Sequence, residues 1–148
     1  MVQKKAKLVI RGRPIRVAHQ GGHRFSARVR DHEVIVDQPR GSGGEDAGPT
    51  ATELLVTSLV ACVAHYGHTF CKRHELPDHV DAEATWWADL GSERLQRVEI
   101  QVDAPQIPAE LDDDFRDALE HCLVHNSMQD PPEISFDVRS SELPADVR

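Results

Sequence analysis

Three thiols and nine histidines carry most of the reactive chemistry available to this 148-residue chain. Cys62 stands in Thr57-Ser58-Leu59-Val60-Ala61-Cys62-Val63-Ala64-His65-Tyr66. A thiol in such surroundings has two readings. It can be a small core residue, since free cysteine is among the most buried residue types. Alternatively it can be a nucleophile, if something lowers its pKa enough to expose the thiolate. Cys122, in Glu120-His121-Cys122-Leu123-Val124-His125-Asn126, has polar neighbours that could tune it. On the helix expected there, the favourable N-terminal end lies about ten residues earlier. Cys71 is placed near the exposed end of its helix beside Lys72 and Arg73, and no role is assigned to it.

Metal binding is the obvious rival to thiol chemistry. Cys62, His65, His68 and Cys71 recur every three residues, as ligands sometimes do. On a helix, at about 100° per residue, they point along 0, 300, 240 and 180°, and Cys62 and Cys71 stand about 13 Å apart. Four such groups cannot converge on one tetrahedral ion. Cys122 with His125, or His121 with His125, could make only half a site. No metal or other cofactor is expected, and His65, His68, His121 and His125 are left without a role.

The elements that must position the thiols follow from punctuation and period. The first 37 residues, with the apolar segments Lys7-Leu8-Val9-Ile10, Ile15-Arg16-Val17-Ala18, Phe25 to Arg30 and Val34-Ile35-Val36, read as an antiparallel meander of two or three strands, with turns at Gly12-Arg13-Pro14 and Gln20-Gly21-Gly22-His23. Residues 38–50 carry four glycines and two prolines, which excludes a helix or a central strand. Thr50 to Arg73 then forms a long helix, with Thr50 or Thr52 available as its cap. Leu54 to Ala64 is apolar almost all round, which predicts a central helix buried in the domain or in an interface. Val80 to Leu90 and Leu95 to Val102 read as a hairpin around Gly91-Ser92-Glu93. Leu111 to about Asn126 reads as a second helix. Ile134 to Val138 follows Pro131-Pro132 as a last strand. The order β-β-β-α-β-β-α-β makes a single α+β domain over residues 1–148.

Composition narrows the partners. Apolar residues make up 39% and charged residues 28%, as in an ordinary globular chain. With 25 acidic against 17 basic residues the formal charge is −8, which argues against a nucleic-acid partner. No apolar run is expected to reach the roughly 20 residues of a membrane span. The apolar stretch Leu8-Val9-Ile10 is too short for a secretory signal, which needs about seven residues or more. A cytoplasmic location with reduced thiols is therefore expected.

Two stretches carry a family resemblance. Gly43-Gly44, Gly48-Pro49 and Glu53-Leu54-Leu55, followed by Ser58-Leu59-Val60-Ala61-Cys62, resemble the loop-and-helix signature of the OsmC/Ohr family. Cys122-Leu123-Val124-His125-Asn126-Ser127 is similar to the family's second signature, and the separation of 60 positions between Cys62 and Cys122 also suits. The resemblance implies an intertwined homodimer with its active sites at the subunit interface. It implies that Cys62 is the peroxidatic thiol and Cys122 the resolving one, forming a disulfide with each other. It implies an activating arginine from the N-terminal strands, either Arg24 or Arg28, with Arg24 preferred because it follows the Gly21-Gly22 turn. The carboxylate that orients this arginine would be Glu53, one position beyond Thr52, where the family pattern would put it. Leu123 stands where the family usually has proline.

What the resemblance implies overall is a thiol-dependent peroxidase that reduces organic hydroperoxides in oxidative-stress defence and is recycled by an external dithiol. The alternative is a protein of the same fold that binds an apolar small molecule or senses redox state.

Overall fold

The computed structural model describes residues 8–139. They form two compact units, one of residues 8–60 with 84–100, the other of residues 61–83 with 101–139. Both α+β character and strand-first order match the sequence expectation, with two small sheets and three α-helices.

In the first unit, β1 (Arg16–His19), β2 (Phe25–Val29) and β3 (His32–Val36) make an antiparallel sheet in the order β1-β2-β3. The β1–β2 turn is closed by the Gln20 amide on the Arg24 carbonyl (2.9 Å) and the Arg24 amide on the Gly21 carbonyl (3.1 Å). Gly21 and Gly22 supply the positive φ values, 101° and 55°, that this turn demands. The expected strand at Leu8–Ile10 does not form, and Lys7 lies outside the described residues. The segment is exposed and, among the described residues, has no strand beside it.

The long helix α1 (Ala51–Arg73) begins where expected. Thr50 Oγ1 accepts the Glu53 amide (3.2 Å), and the Glu53 carboxylate takes the Thr50 amide (2.7 Å) and hydroxyl (2.9 Å). This reciprocal capping box satisfies amides that the first turn leaves free. In the single chain α1 is not buried all round. Val56, Leu59, Val63, Gly67 and Phe70, three or four residues apart, form one buried stripe. Leu55, Ser58, Ala61 and His65 stay exposed on the other side. By length and composition α1 could cross a membrane, contrary to the expectation that no such run exists. Its buried stripe is what a core helix of a globular domain has.

A two-stranded sheet follows, of β4 (Asp81–Asp89) and β5 (Arg94–Asp103). Asp89 ties the turn by accepting the Gly91 amide (2.9 Å) and the Ser92 hydroxyl (2.6 Å).

In the second unit, α2 (Asp112–Glu120) packs on α1. Phe70 meets Phe115 edge-on at 5.3 Å and stacks on His74 at 4.2 Å. A Cβ on Gly67 would come within 3.1 Å of Val80 and 3.3 Å of Leu119, so a larger residue there would crowd the packing of α2 on α1. Phe115 is buried, and truncating such a phenylalanine costs about 3–5 kcal/mol.

The single helix expected from Leu111 to Asn126 is broken. After α2 the chain passes through His121 and Cys122, and α3 (Leu123–Gln129) starts afresh. Side chains take over the carbonyls at the end of α2. His121 Nδ1 donates to the Asp117 carbonyl (2.6 Å), and Asn126 Nδ2 to that of His121 (3.3 Å). The Glu120 carbonyl accepts from His125 Nδ1 (2.5 Å). The strand expected at Ile134–Val138 is absent as well. Ile134, Phe136 and Val138 would share one face of a strand, but among the described residues no strand lies beside them and all three are exposed.

Candidate active site

Cys62 sits one residue before Val63 on the buried stripe of α1, and its own side chain is half-buried. Cys122 is fully buried at the N-cap of α3, with extended backbone (φ −72°, ψ 148°). Its Sγ accepts the His125 amide at 3.3 Å, the place a serine or aspartate oxygen takes in other helices. The favourable helix end is therefore at Cys122 itself, not about ten residues earlier.

The fold brings these two thiols together, both in the second unit and both free. Burial pushes the Cys122 thiol above its ordinary value, and the adjacent Cys62 sulfur adds to the shift. The amides of His125 and Val124 pull the other way. A thiol that keeps its proton beside a second sulfur is a hydrogen-bond donor rather than a competing anion. Two sulfurs in this relation can exchange between dithiol and disulfide.

Cys71 lies elsewhere. It is fully buried rather than exposed, and Gln106 Nε2 approaches its sulfur at 3.4 Å. The same amide donates to the carbonyls of Pro77 (2.9 Å) and His79 (2.7 Å), holding the segment after α1. Nothing in the sequence marked Gln106 for this work.

The arginine and carboxylate candidates lie in the first unit. Arg24 leaves the β1–β2 turn and pairs with Glu45 in the Gly/Pro loop, Nη1 to Oε2 at 3.4 Å. Arg28 is exposed in β2, opposite Arg16 on one side and Glu33 on the other. Glu53 gives its carboxylate to Thr50, and those bonds hold its pKa below the ordinary glutamate value.

The loop that carries Glu45 is built on Asp37, which is buried. Its carboxylate accepts the amides of Gln38 (2.8 Å), Glu45 (3.1 Å) and Ala47 (3.1 Å). The Ala47 amide does most to hold the Asp37 carboxyl below its ordinary range, against burial, and the charge of Arg24 helps. A Cβ on Gly44 would stand 1.9 Å from the Gln38 carbonyl oxygen, so only glycine lets the loop close over Asp37. Asp37 was legible only as an aspartate at a strand end before a turn-rich stretch, a position where such side chains often bond the following backbone.

Of the four histidines left without a role, His68, His121 and His125 bond backbone carbonyls. His68 Nδ1 donates to the Asp78 carbonyl at 3.1 Å, and His121 and His125 close the α2–α3 break. Among the described residues no three metal-binding side chains converge.

Residues 43–137 match the family model described as OsmC-like protein. Several solved structures share the fold. One, described as an osmotic stress induced and detoxification response protein from Psychrobacter arcticus 273-4, is 25% identical over 81% of this chain and 91% of that one, with a TM-score of 0.71. An OsmC-like protein from Mycoplasma pneumoniae is 14% identical, over 82% and 89% of the two chains, with a TM-score of 0.69. An organic hydroperoxide resistance protein OsmC from Legionella pneumophila is 14% identical, over 79% and 90%, with a TM-score of 0.56. No curated protein matches the sequence.

Proposed function

The chain belongs to the OsmC-like protein family, and from that membership we propose that it is a thiol-dependent peroxidase acting on organic hydroperoxides. The observation that carries this reading is the pairing of a half-buried Cys62 with a buried Cys122 that is held protonated beside it.

The Cys62 thiolate attacks the terminal oxygen of a hydroperoxide, and the O–O bond breaks. The alkoxide takes a proton and leaves as the alcohol, and Cys62 is oxidised to a sulfenic acid. The Cys122 sulfur then attacks the Cys62 sulfur. The hydroxyl leaves as water with the Cys122 proton, and the Cys62–Cys122 disulfide forms. An external dithiol reduces it through a mixed disulfide and returns both thiols. Apolar neighbours of Cys62 (Val60, Ala61, Val63) favour organic peroxides over hydrogen peroxide.

A cation must stabilise the Cys62 thiolate. In this reading it is Arg24, with Arg28 as the second candidate. Glu45 takes the orienting place first given to Glu53, because Arg24 already pairs with Glu45 and Glu53 with Thr50. The working unit is an intertwined homodimer of single-domain chains, acting in the cytoplasm in defence against oxidative stress. The exposed apolar side chains of Leu55, Ile134, Phe136 and Val138 are the support for a partner copy.

The test is consumption of cumene hydroperoxide by the reduced protein, with thiols counted before and after. Loss of two of the three thiols is expected. A count that stays at three in excess hydroperoxide overturns the proposal.

A further inference from the structure

A disulfide between Cys62 and Cys122 can be opened at either sulfur, and the choice fixes which cysteine carries the reductant and which one leaves. Exchange rates depend on access to the attacked sulfur and on how readily the other sulfur departs as thiolate. The two cysteines differ most in access. Cys62 is half-buried on α1, whereas Cys122 has no exposed surface. An attacking thiolate approaches in line with the S–S bond, from the side opposite the leaving sulfur. At Cys62 that approach uses the opening by which a hydroperoxide reaches the same sulfur, so no second entrance is needed.

At Cys122 the approach is closed by packed protein, and the segment around it is pinned. The His125 amide donates to the Cys122 sulfur (3.3 Å) and the Asn126 amide to the Cys122 carbonyl (3.0 Å). The His125 ring is held at both nitrogens, Nδ1 donating to the Glu120 carbonyl (2.5 Å) and Nε2 accepting from Gln129 Nε2 (2.9 Å). Attack on Cys122 would require this knot to open first. Leaving-group chemistry acts the other way, but less decisively. Burial pushes the Cys122 thiol up, which makes it a poorer leaving group than an ordinary cysteine. The amides of His125 and Val124 offset part of this, because they face the sulfur on which negative charge develops. A poor leaving group slows exchange, whereas a sulfur without access is not attacked at all.

We infer that the Cys62–Cys122 disulfide is opened at Cys62, so that the mixed disulfide forms there and Cys122 is the leaving thiolate. The inference rests on the proposed peroxidase cycle for the existence of that disulfide. The reductant's thiolate bonds to the Cys62 sulfur, the S–S bond breaks, and its electron pair leaves on Cys122. The second thiol of the dithiol gives up its proton and, as thiolate, attacks the reductant sulfur that is bound to Cys62. Cys62 then leaves as the thiolate, the reductant departs as its own disulfide, and the proton passes to Cys122. Two electrons have moved from the dithiol to the two cysteines, and the pair is restored with Cys122 protonated and Cys62 ready to attack.

The test oxidises the wild-type chain with stoichiometric diamide, so that no hydroperoxide is involved. The disulfide form is mixed with glutathione and quenched in acid within about a second, ahead of slower reshuffling. It is then unfolded and alkylated, and its peptides are sequenced by mass. The earliest samples should carry glutathione on Cys62 and the alkyl label on Cys122. Glutathione on Cys122 with the label on Cys62 overturns the inference, as does failure of diamide to join the two cysteines. A second measurement needs no disulfide in the protein. A pyridyl disulfide should react with Cys122→Ser, which keeps Cys62, about tenfold or more faster than with Cys62→Ser, which keeps Cys122. Equal rates or the reverse order overturn the inference too. A protein that is opened at Cys62 but leaves cumene hydroperoxide untouched keeps this inference and loses the peroxidase reading. One that turns over hydroperoxide and is opened at Cys122 does the opposite.

Discussion

Cys122 does two jobs with one sulfur: it caps α3 by accepting the His125 amide at 3.3 Å, and it lies against Cys62 of α1. A sulfur that anchors a helix start is placed by backbone, so the distance between the thiols does not depend on a flexible side chain alone. The two cysteines should therefore respond differently to substitution. Cys62→Ser should abolish hydroperoxide turnover. Cys122→Ser should stop recycling after one turnover and leave a sulfenic acid on Cys62 that dimedone traps, adding a tag visible by mass. Cys71→Ser should leave turnover within about twofold, since Cys71 contacts Gln106 instead. Fast multiple turnover by Cys62→Ser would sink the division of roles.

The raised pKa of Cys122 makes an alkaline prediction with a definite sign. Unfolded, the thiol ionises near 9.0, while in the fold burial keeps it protonated to higher pH. Stability gained from the protonated thiol is whole below 9.0 and lost as pH rises through the folded value. Urea unfolding of the reduced protein between about pH 8 and about pH 10.5 should show wild type losing stability faster than Cys122→Ser. Parallel curves for the two proteins would contradict it.

Much of this frame could be read from sequence, and the failures share a cause. The meander, the Gly/Pro loop and the start of α1 are local features, fixed by φ demands and by the Thr50–Glu53 spacing. The break at Cys122 is not local in that sense. Leu111 to Asn126 keeps a helical period, and the side chains of His121, His125 and Asn126, by bonding the carbonyls of Asp117, Glu120 and His121, offset the loss of helical bonds together with the Cys122 cap. Arg24 and Glu45 are 21 residues apart and meet only because Asp37 folds the loop. The strand expected at Ile134–Val138 has the right alternation but no strand beside it among the described residues. A period of two specifies a face, not a neighbour.

Thr50 and Glu53 form the capping box of α1, so their effect on stability can be separated from any effect on chemistry. Thr50→Ala should destabilise by about 0.5–2 kcal/mol. Glu53→Gln should cost less, since a glutamine can still accept the Thr50 amide. The bonds from Thr50 lower the Glu53 pKa, so its contribution is present above 4.5 and fades as pH falls through the folded value. If Glu53→Gln slows peroxide turnover strongly with unchanged melting, Glu53 and not Glu45 serves the active site.

Glu45 and Arg24 should behave as a pair in function rather than in stability. Both are partly exposed, and a surface pair of this kind contributes at most about 1 kcal/mol. If the proposed role of Arg24 holds, Arg24→Gln should raise the pH at which Cys62 is alkylated by iodoacetamide. Glu45→Gln should shift the same profile by less, and the double variant by no more than Arg24→Gln alone. Should Arg28→Gln move the profile while Arg24→Gln does not, the arginine assignment passes to Arg28.

The exposed apolar faces give the last prediction. Phe136 is 88% exposed, Ile134 and Val138 two residues to either side of it are exposed as well, and Leu55 lies open on α1. Side chains of this kind on a chain this small are costly to leave in water, about 1.5–3 kcal/mol each when fully buried instead. A second copy is the partner that symmetry makes available, and the alternating sequence Ile134 to Val138 suits addition to a sheet edge as a strand. Light scattering should therefore give twice the 16.5 kDa chain mass. Phe136→Asp should shift the protein toward monomer at micromolar concentration while the circular dichroism of α1 persists. A wild-type monomer that still turns over hydroperoxide would show that the site is complete within one chain.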